Sequence, residues 1–342
     1  MLMSTAIDLF LKEKHLEGLQ KKSIMAYDAF VHRFMYSVGN IDISDIDYMM
    51  LEKYQLSLYL QKPPLSKATI ATYLRHLKVF IRFLESDQKT KRLLDQKIFD
   101  KDNDLYSERI KLPKSPRRKV DILAPEQLST IFNAALSNEN SHALGIRNAL
   151  IIALMVDCGL RREEVIGLTR SRINFESQNM NVLGKGMKER IAPIGNFTFG
   201  LISEYINIVD SDPRYDISTD SLLFTYRFRP INENTIKLMI HELSAGTGIK
   251  FSAHTLRHNF ATNWCIDEYN RSGTIDIYRL QILLGHEDLK TTLIYVHMAE
   301  EFLIAASNVS HLDYINIADS LDSKPVPRHP NKSVIQTNLA IL

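Results

Sequence analysis

Residues 254–264 read HTLRHNFATNW, and residues 283–298 read LLGHEDLKTTLIYVHM. The first stretch sets His254, Arg257 and His258 within five residues. His254 and Arg257 are three apart, hence on one face at a helix start, and His258 and Asn259 are expected to point elsewhere. The second stretch ends an apolar helical run at Gly285, adds His286, and reaches Tyr295 nine residues later. Upstream, Arg161 follows a strongly apolar helix in GLRREEVIGL (159–168). Lys185 stands at the expected tip of a hairpin in GKGMKERIAPI (184–194). Each residue alone is ordinary: most such tyrosines pack, and lysine is common at hairpin tips. Together they make a cationic pocket with one nucleophile. No carboxylate pair points to metal-based phosphoryl transfer. Arginine forks match the oxygens of a phosphate, and a tyrosine can attack phosphorus and hold it covalently.

The rest of the chain supplies a frame for that pocket. Its 342 residues suggest two domains with a tail, and 45% apolar residues allow a sizeable core. Lys plus Arg number 42 against 40 acids, so any polyanion site must come from local clustering. The two cysteines, Cys158 and Cys265, are too few for a disulfide framework or zinc cluster and read as buried thiols. Neither a signal peptide nor a run of transmembrane length is recognisable, which makes the cytoplasm the expected location.

The first hundred residues carry helical periodicity. Helices are expected at 5–16, at 23–38 with Ser23 as cap, at about 45–61, and at 66–86 with Ser66 as cap. The last has a long apolar stripe, with Arg75, Lys78 and Arg82 around it; with Lys22 these are candidate DNA contacts. Residues 109–119, RIKLPKSPRRK, hold six Lys/Arg and no acid, with Pro113 and Pro116. Proline breaks helices, so this is a basic linker, and Arg117, Arg118 and Lys119 suit a polyanion. An exposed solubilising linker explains the same composition nearly as well. Beyond residue 120 the pattern is helical with two short strands around GKGMK. Further helices are expected near 197–209, 232–245, 255–268 and 275–284. The chain thus divides into a helical domain (1–108), a linker (109–119), a mainly helical domain with a small β-sheet (120–304), and a tail (305–342).

Four stretches in this order, GLRREEVIGL, GKGMKERIAPI, HTLRHNFATNW and LLGHEDLKTTLIYVHM, resemble the boxes of the tyrosine recombinases, the phage-integrase and Xer-like family. The resemblance is strongest over about 135 residues and extends more weakly over residues 1–100. It implies a mainly α, two-domain DNA clamp: a helical, SAM-like core-binding domain and a mixed, mainly-α catalytic domain. It implies that Arg161 and Arg257 clamp the scissile phosphate and that Tyr295 attacks it. Lys185 would protonate the leaving 5′ oxygen, His254 would assist proton transfer, and His286 would hydrogen-bond a phosphate oxygen. Glu164 matches an acidic family position and would orient the cluster; alternatively it is a locally paired helix acid.

The implied substrate is double-stranded DNA with short inverted core sites. The implied assembly is a homotetramer on DNA, formed from monomers, exchanging strands through a Holliday junction without cofactor or metal. An accessory directionality factor is compatible with that scheme. The helix following Tyr295, beginning AEEFLIAA, and the 305–342 tail would pack against a neighbour. Two departures are visible. The segment 265–281 is longer than in compact Xer-type proteins, and no arm-binding domain precedes the first helix, which favours a simple enzyme on short sites. Integration or excision of a mobile element and Xer-like resolution fit equally. A type IB topoisomerase-like enzyme and a non-catalytic architectural DNA-binding protein are the alternatives.

Overall fold

The computed structural model describes residues 1–86, 106–114, 122–137, 141–184, 188–214 and 219–306. The chain divides into two compact units, Met1–Lys119 and Val120–Leu342. In the first, the described helices are α1 (Met3–Leu16), α2 (Lys21–Val38), α3 (Tyr48–Leu60), α4 (Lys67–Ser86) and the single turn α5 (Tyr106–Arg109). Side-chain caps start two of them: Asp47 accepts from Met50 N at 2.7 Å, and Ser66 accepts from Thr69 N at 3.1 Å. The expected cap at Ser23 is wrong. α2 begins two residues earlier, and Ser23 N instead donates to the Gln20 carbonyl as part of its first turn. α3 is likewise shorter than 45–61, because Asp47 fixes its start and a 3-10 turn occupies Ile43–Asp45. Phe10, Phe34 and Phe80 are fully buried at the centre, with Phe10 and Phe80 edge to face at 5.4 Å.

The second unit opens with α6 (Pro125–Leu136) and α7 (His142–Val156). Proline at the first position of α6 costs no hydrogen bond there. α7 buries every residue from Gly145 to Met155, so the unit is built around it. There follow α8 (Arg162–Ile166), a small sheet, α9 (Asn196–Asp210), α10 (Glu233–Thr247), α11 (Ala253–Ser272), α12 (Ile277–Leu284) and α13 (Leu289–Ala306). The sheet is antiparallel in the order β1 (Ile173–Asn174), β2 (Asn179–Leu183), β3 (Glu189–Pro193). The sequence pattern suggested two strands; the third, β1, is only two residues long and too short to show a period. Met180 and Val182 of β2 and Ala192 of β3 turn inward onto the α7 core. Both cysteines are buried and free. Among the described residues no helix is long and apolar enough to cross a membrane.

One expectation near the end of the chain changes. Tyr295 does not precede a helix but lies inside α13, which starts six residues before it. The long 265–281 segment is the last turns of α11, a tight exit at Gly273 (φ 74°), and the start of α12. The 305–342 tail lies outside the described residues beyond Ala306.

Candidate active site

α7 ends before a glycine that the next turn requires. Gly159 has φ 65°, and a Cβ there would stand 2.3 Å from Phe260 Cδ1. Its carbonyl accepts from Arg257 Nη1 at 2.6 Å. Two residues on, Arg161 is the residue before α8, and its backbone N–H donates to Glu164 Oε2 at 2.7 Å. Arg161 Nη1 donates to Glu164 Oε1 at 2.8 Å, and Nη2 donates to the Gly285 carbonyl at 2.9 Å.

Arg257 is 4% exposed, although arginine is rarely buried unless paired. α11 brings it against two elements at once. Besides Gly159, it donates through Nη2 to the Leu284 carbonyl at 2.6 Å and to His286 Nε2 at 3.2 Å. Glu164 Oε2 is 3.7 Å from its Nη1. Burial and the nearby Arg161 lower the guanidinium to about 10, still charged at neutral pH. Burial alone would raise the Glu164 carboxyl, but bonds from Arg190 and Arg161 more than offset it and hold it below its ordinary value.

An arginine cannot accept a hydrogen bond, so its contact with His286 Nε2 makes that nitrogen the acceptor. The ring proton is then on Nδ1, which donates to the hydroxyl of buried Thr292 at 2.9 Å. Burial, followed by the charges of Arg257, Arg161 and Arg190, pushes His286 down to about 4. His286 is therefore neutral at physiological pH.

Tyr295 is 5% exposed within a small apolar cluster of α11, α12 and α13 that includes Ala261, Cys265, Leu280 and Leu284. Burial raises its hydroxyl, while the charges of Arg257 and Arg161 pull it back. Its ring lies 6.0 Å from His286 and 5.3 Å from His258. His258 was expected to point elsewhere. It instead stacks on exposed His254 at 6.0 Å, because residues four apart share a helix face. Its Nδ1 is buried without a partner, and burial lowers the ring's basicity. Asn259 does point away, donating to and accepting from the main chain of Leu123.

Arg161, Glu164, Arg257, His286 and Tyr295 thus converge, and His254 joins them at the solvent side through His258. Lys185 lies outside the described residues, between β2 and β3, as do Arg117, Arg118 and Lys119. Lys22, Arg75 and Arg82 are exposed and Lys78 is half-buried, all in the first unit. Sequence reasoning missed Arg190, which donates from Nη1 and Nη2 to the two Glu164 oxygens, both at 2.8 Å. It sits in the basic run KGMKER and resembles a surface charge there; its place between exposed Glu189 and Ile191 on β3 was the available signal. Among the described residues no group of three or more His, Cys, Asp or Glu could hold a metal ion.

The model of the phage integrase family matches residues 121–301. A tyrosine recombinase of Pseudothermotoga lettingae is 27% identical over 299 residues, covering 86% of this chain and 93% of that protein. Tyrosine recombinase XerD of Pseudomonas aeruginosa is 34% identical over 179 residues, 51% of this chain and 58% of that one. In fold, the chain is similar to the XerH site-specific recombinase bound to palindromic difH substrate. The TM-score is 0.62 at 23% identity, over 84% of this chain and 79% of that one. It is also similar to the Tn1549 transposon integrase in complex with transposon right end DNA. There the TM-score is 0.64 at 16% identity, over 89% of this chain and 100% of that one.

Proposed function

Because the chain belongs to the phage integrase family of tyrosine recombinases, we propose that it breaks and rejoins duplex DNA at specific sites through a covalent bond to Tyr295. The tyrosine oxygen attacks the scissile phosphorus. The bond to the 5′ oxygen breaks, leaving a 3′-phosphotyrosyl link and a free 5′-hydroxyl. A 5′-hydroxyl from a second duplex reverses the step and transfers the strand. The phosphotyrosyl link retains the energy of the broken bond, so ligation needs no nucleotide.

The observation that carries this reading is the meeting of Arg161 and Arg257 beside one buried tyrosine, with Glu164 bonded to the first and beside the second. Two planar guanidinium groups suit the non-bridging oxygens of a phosphate and the charge that grows on them in a pentacoordinate transition state. The raised hydroxyl of Tyr295 is protonated at neutral pH, so attack needs a base. His254 takes that part, and Lys185 protonates the leaving oxygen. His286 hydrogen-bonds the phosphate, which requires its Nε2 to exchange its bond from Arg257 for a proton of its own.

The two units close as a clamp on the duplex, with phosphate contacts supplying affinity and little sequence discrimination. Lys22, Arg75, Lys78 and Arg82 contribute from the first unit, and Arg117, Arg118 and Lys119 from the linker. Complete exchange joins four copies on paired core sites through a Holliday junction, for mobile-element integration and excision or Xer-like resolution. The positive charge comes from the protein's own side chains, so the reaction is proposed to run without metal.

The test is a nicked suicide duplex carrying the element's core site, incubated with EDTA and resolved on a denaturing gel. The expected result is a covalent protein–DNA adduct that is absent with Tyr295→Phe. Tight, site-specific binding with no adduct would sink the proposal in favour of a binding protein.

A further inference from the structure

We propose that Arg190 is a positioning residue for strand cleavage: it fixes Glu164, and through Glu164 the two arginines assigned to the scissile phosphate. The inference rests on the recombinase reading above.

Arg190 does not face the space where a phosphate would sit. Its side chain is 6% exposed, against 29% for Arg161. Each of its three nitrogens has an acceptor: the two Glu164 oxygens, and the Leu283 carbonyl, which takes Nε at 2.8 Å. A two-pronged guanidinium–carboxylate pair fixes the plane of the carboxylate, which one lysine ammonium cannot do. With that plane set, the remaining acceptor directions of Glu164 meet Arg161 N and Nη1. The charge balance points the same way. Were Glu164 to face only Arg161 and Arg257, its negative charge would offset half of theirs. Arg190 supplies the compensating charge, leaving both available to a phosphate.

A second contact makes the alignment three-sided. Arg190, Arg257 and Arg161 donate to three successive carbonyls, those of Leu283, Leu284 and Gly285, at 2.8, 2.6 and 2.9 Å. These belong to the end of α12, where carbonyls lack partners within the helix and carry partial negative charge. Gly285 leaves room for the first of them, since a Cβ there would lie 3.1 Å from Arg190 Cδ. The Leu283 carbonyl thereby holds Arg190 in place against Glu164.

The experiment is single-turnover cleavage of the nicked duplex at saturating protein, with DNA affinity and melting temperature measured alongside. Arg190→Gln should cleave about 100-fold more slowly, as expected for misplaced reacting groups, while affinity stays within about threefold of wild type. Arg190→Lys should fall between. The double variant Arg190→Gln/Glu164→Gln should cleave no more slowly than Glu164→Gln alone, because Arg190 acts through that carboxylate. A wild-type rate for Arg190→Gln overturns the inference. So do losses that multiply independently in the double variant, or a fall in cleavage matched by equal falls in affinity and melting temperature. If Arg190→Gln fails to fold, Arg190→Lys carries the test: slower cleavage at retained affinity supports the role, and a wild-type rate removes it. Wild-type protein that binds the site and forms no adduct overturns the recombinase reading and this inference with it; a wild-type adduct isolates the Arg190 question.

Discussion

α4 and α11 are each 20 residues long, and they reach burial by opposite routes. α4 buries Ile70, Ala71, Leu74, Leu77, Phe80, Ile81, Phe83 and Leu84, and exposes Arg75 and Arg82. Its spacing alone decides which face meets the core. α11 buries Leu256, Arg257, Asn259, Ala261, Thr262 and Cys265, half of them polar. Burying polar groups is unfavourable without partners, and the partners come from other elements: Gly159 and Leu284 for Arg257, Leu123 for Asn259. One helix is held by area, the other by particular atoms. A helix of the second kind places chemistry to within a hydrogen bond's tolerance.

The largest test of that contrast is Arg257→Ala. Loss of a charge-assisted contact to the transition state should slow adduct formation at least about 10³-fold, read by single-turnover cleavage. It would weaken the contrast if the variant cleaved within a few-fold of wild type. On α4 the corresponding change is Phe80→Ala, which empties a fully buried ring site. It should cost about 3–5 kcal/mol of stability, seen as faster hydrogen exchange in α1, α2 and α4.

Asn259→Leu keeps the number and branching of the side-chain heavy atoms but orphans both main-chain groups of Leu123. Urea unfolding should register a loss of about 2–4 kcal/mol, although the substitution adds apolar surface. The pH dependence of stability is a subtler probe. His286 is lowered to about 4 in the folded chain, against an ordinary value near 6.5, so the neutral ring is favoured by folding. Its stabilising contribution is complete above pH 6.5 and is lost as pH falls through the folded value near 4. Melting temperature should drop across that window, and His286→Asn should flatten part of the slope. The smallest effect belongs to Thr262→Val: its hydroxyl is buried with no partner, so removal should change stability by less than about 0.5 kcal/mol or raise it. A larger loss would mean that α11 depends on Thr262 as well.

The sequence by itself determined the helical character of both units, the place of the small sheet and the order of the boxes. Periods of 3.6 and 2 are local properties, written into residues that are neighbours along the chain. The pocket's composition was legible for the same reason: Arg161, Glu164, Arg257, His286 and Tyr295 stand in short, recognisable contexts. The tertiary structure alone decided which polar groups share a partner. Arg190 lies 26 residues from the carboxylate it grips, and no spacing rule links a strand residue to a helix start. Gly159 likewise serves Arg257 from 98 residues away, and His258 turned inward because α13 covers that face of α11. Hydrogen-bond pairing across such distances depends on how helices and strands pack, and packing is settled only when the whole core closes.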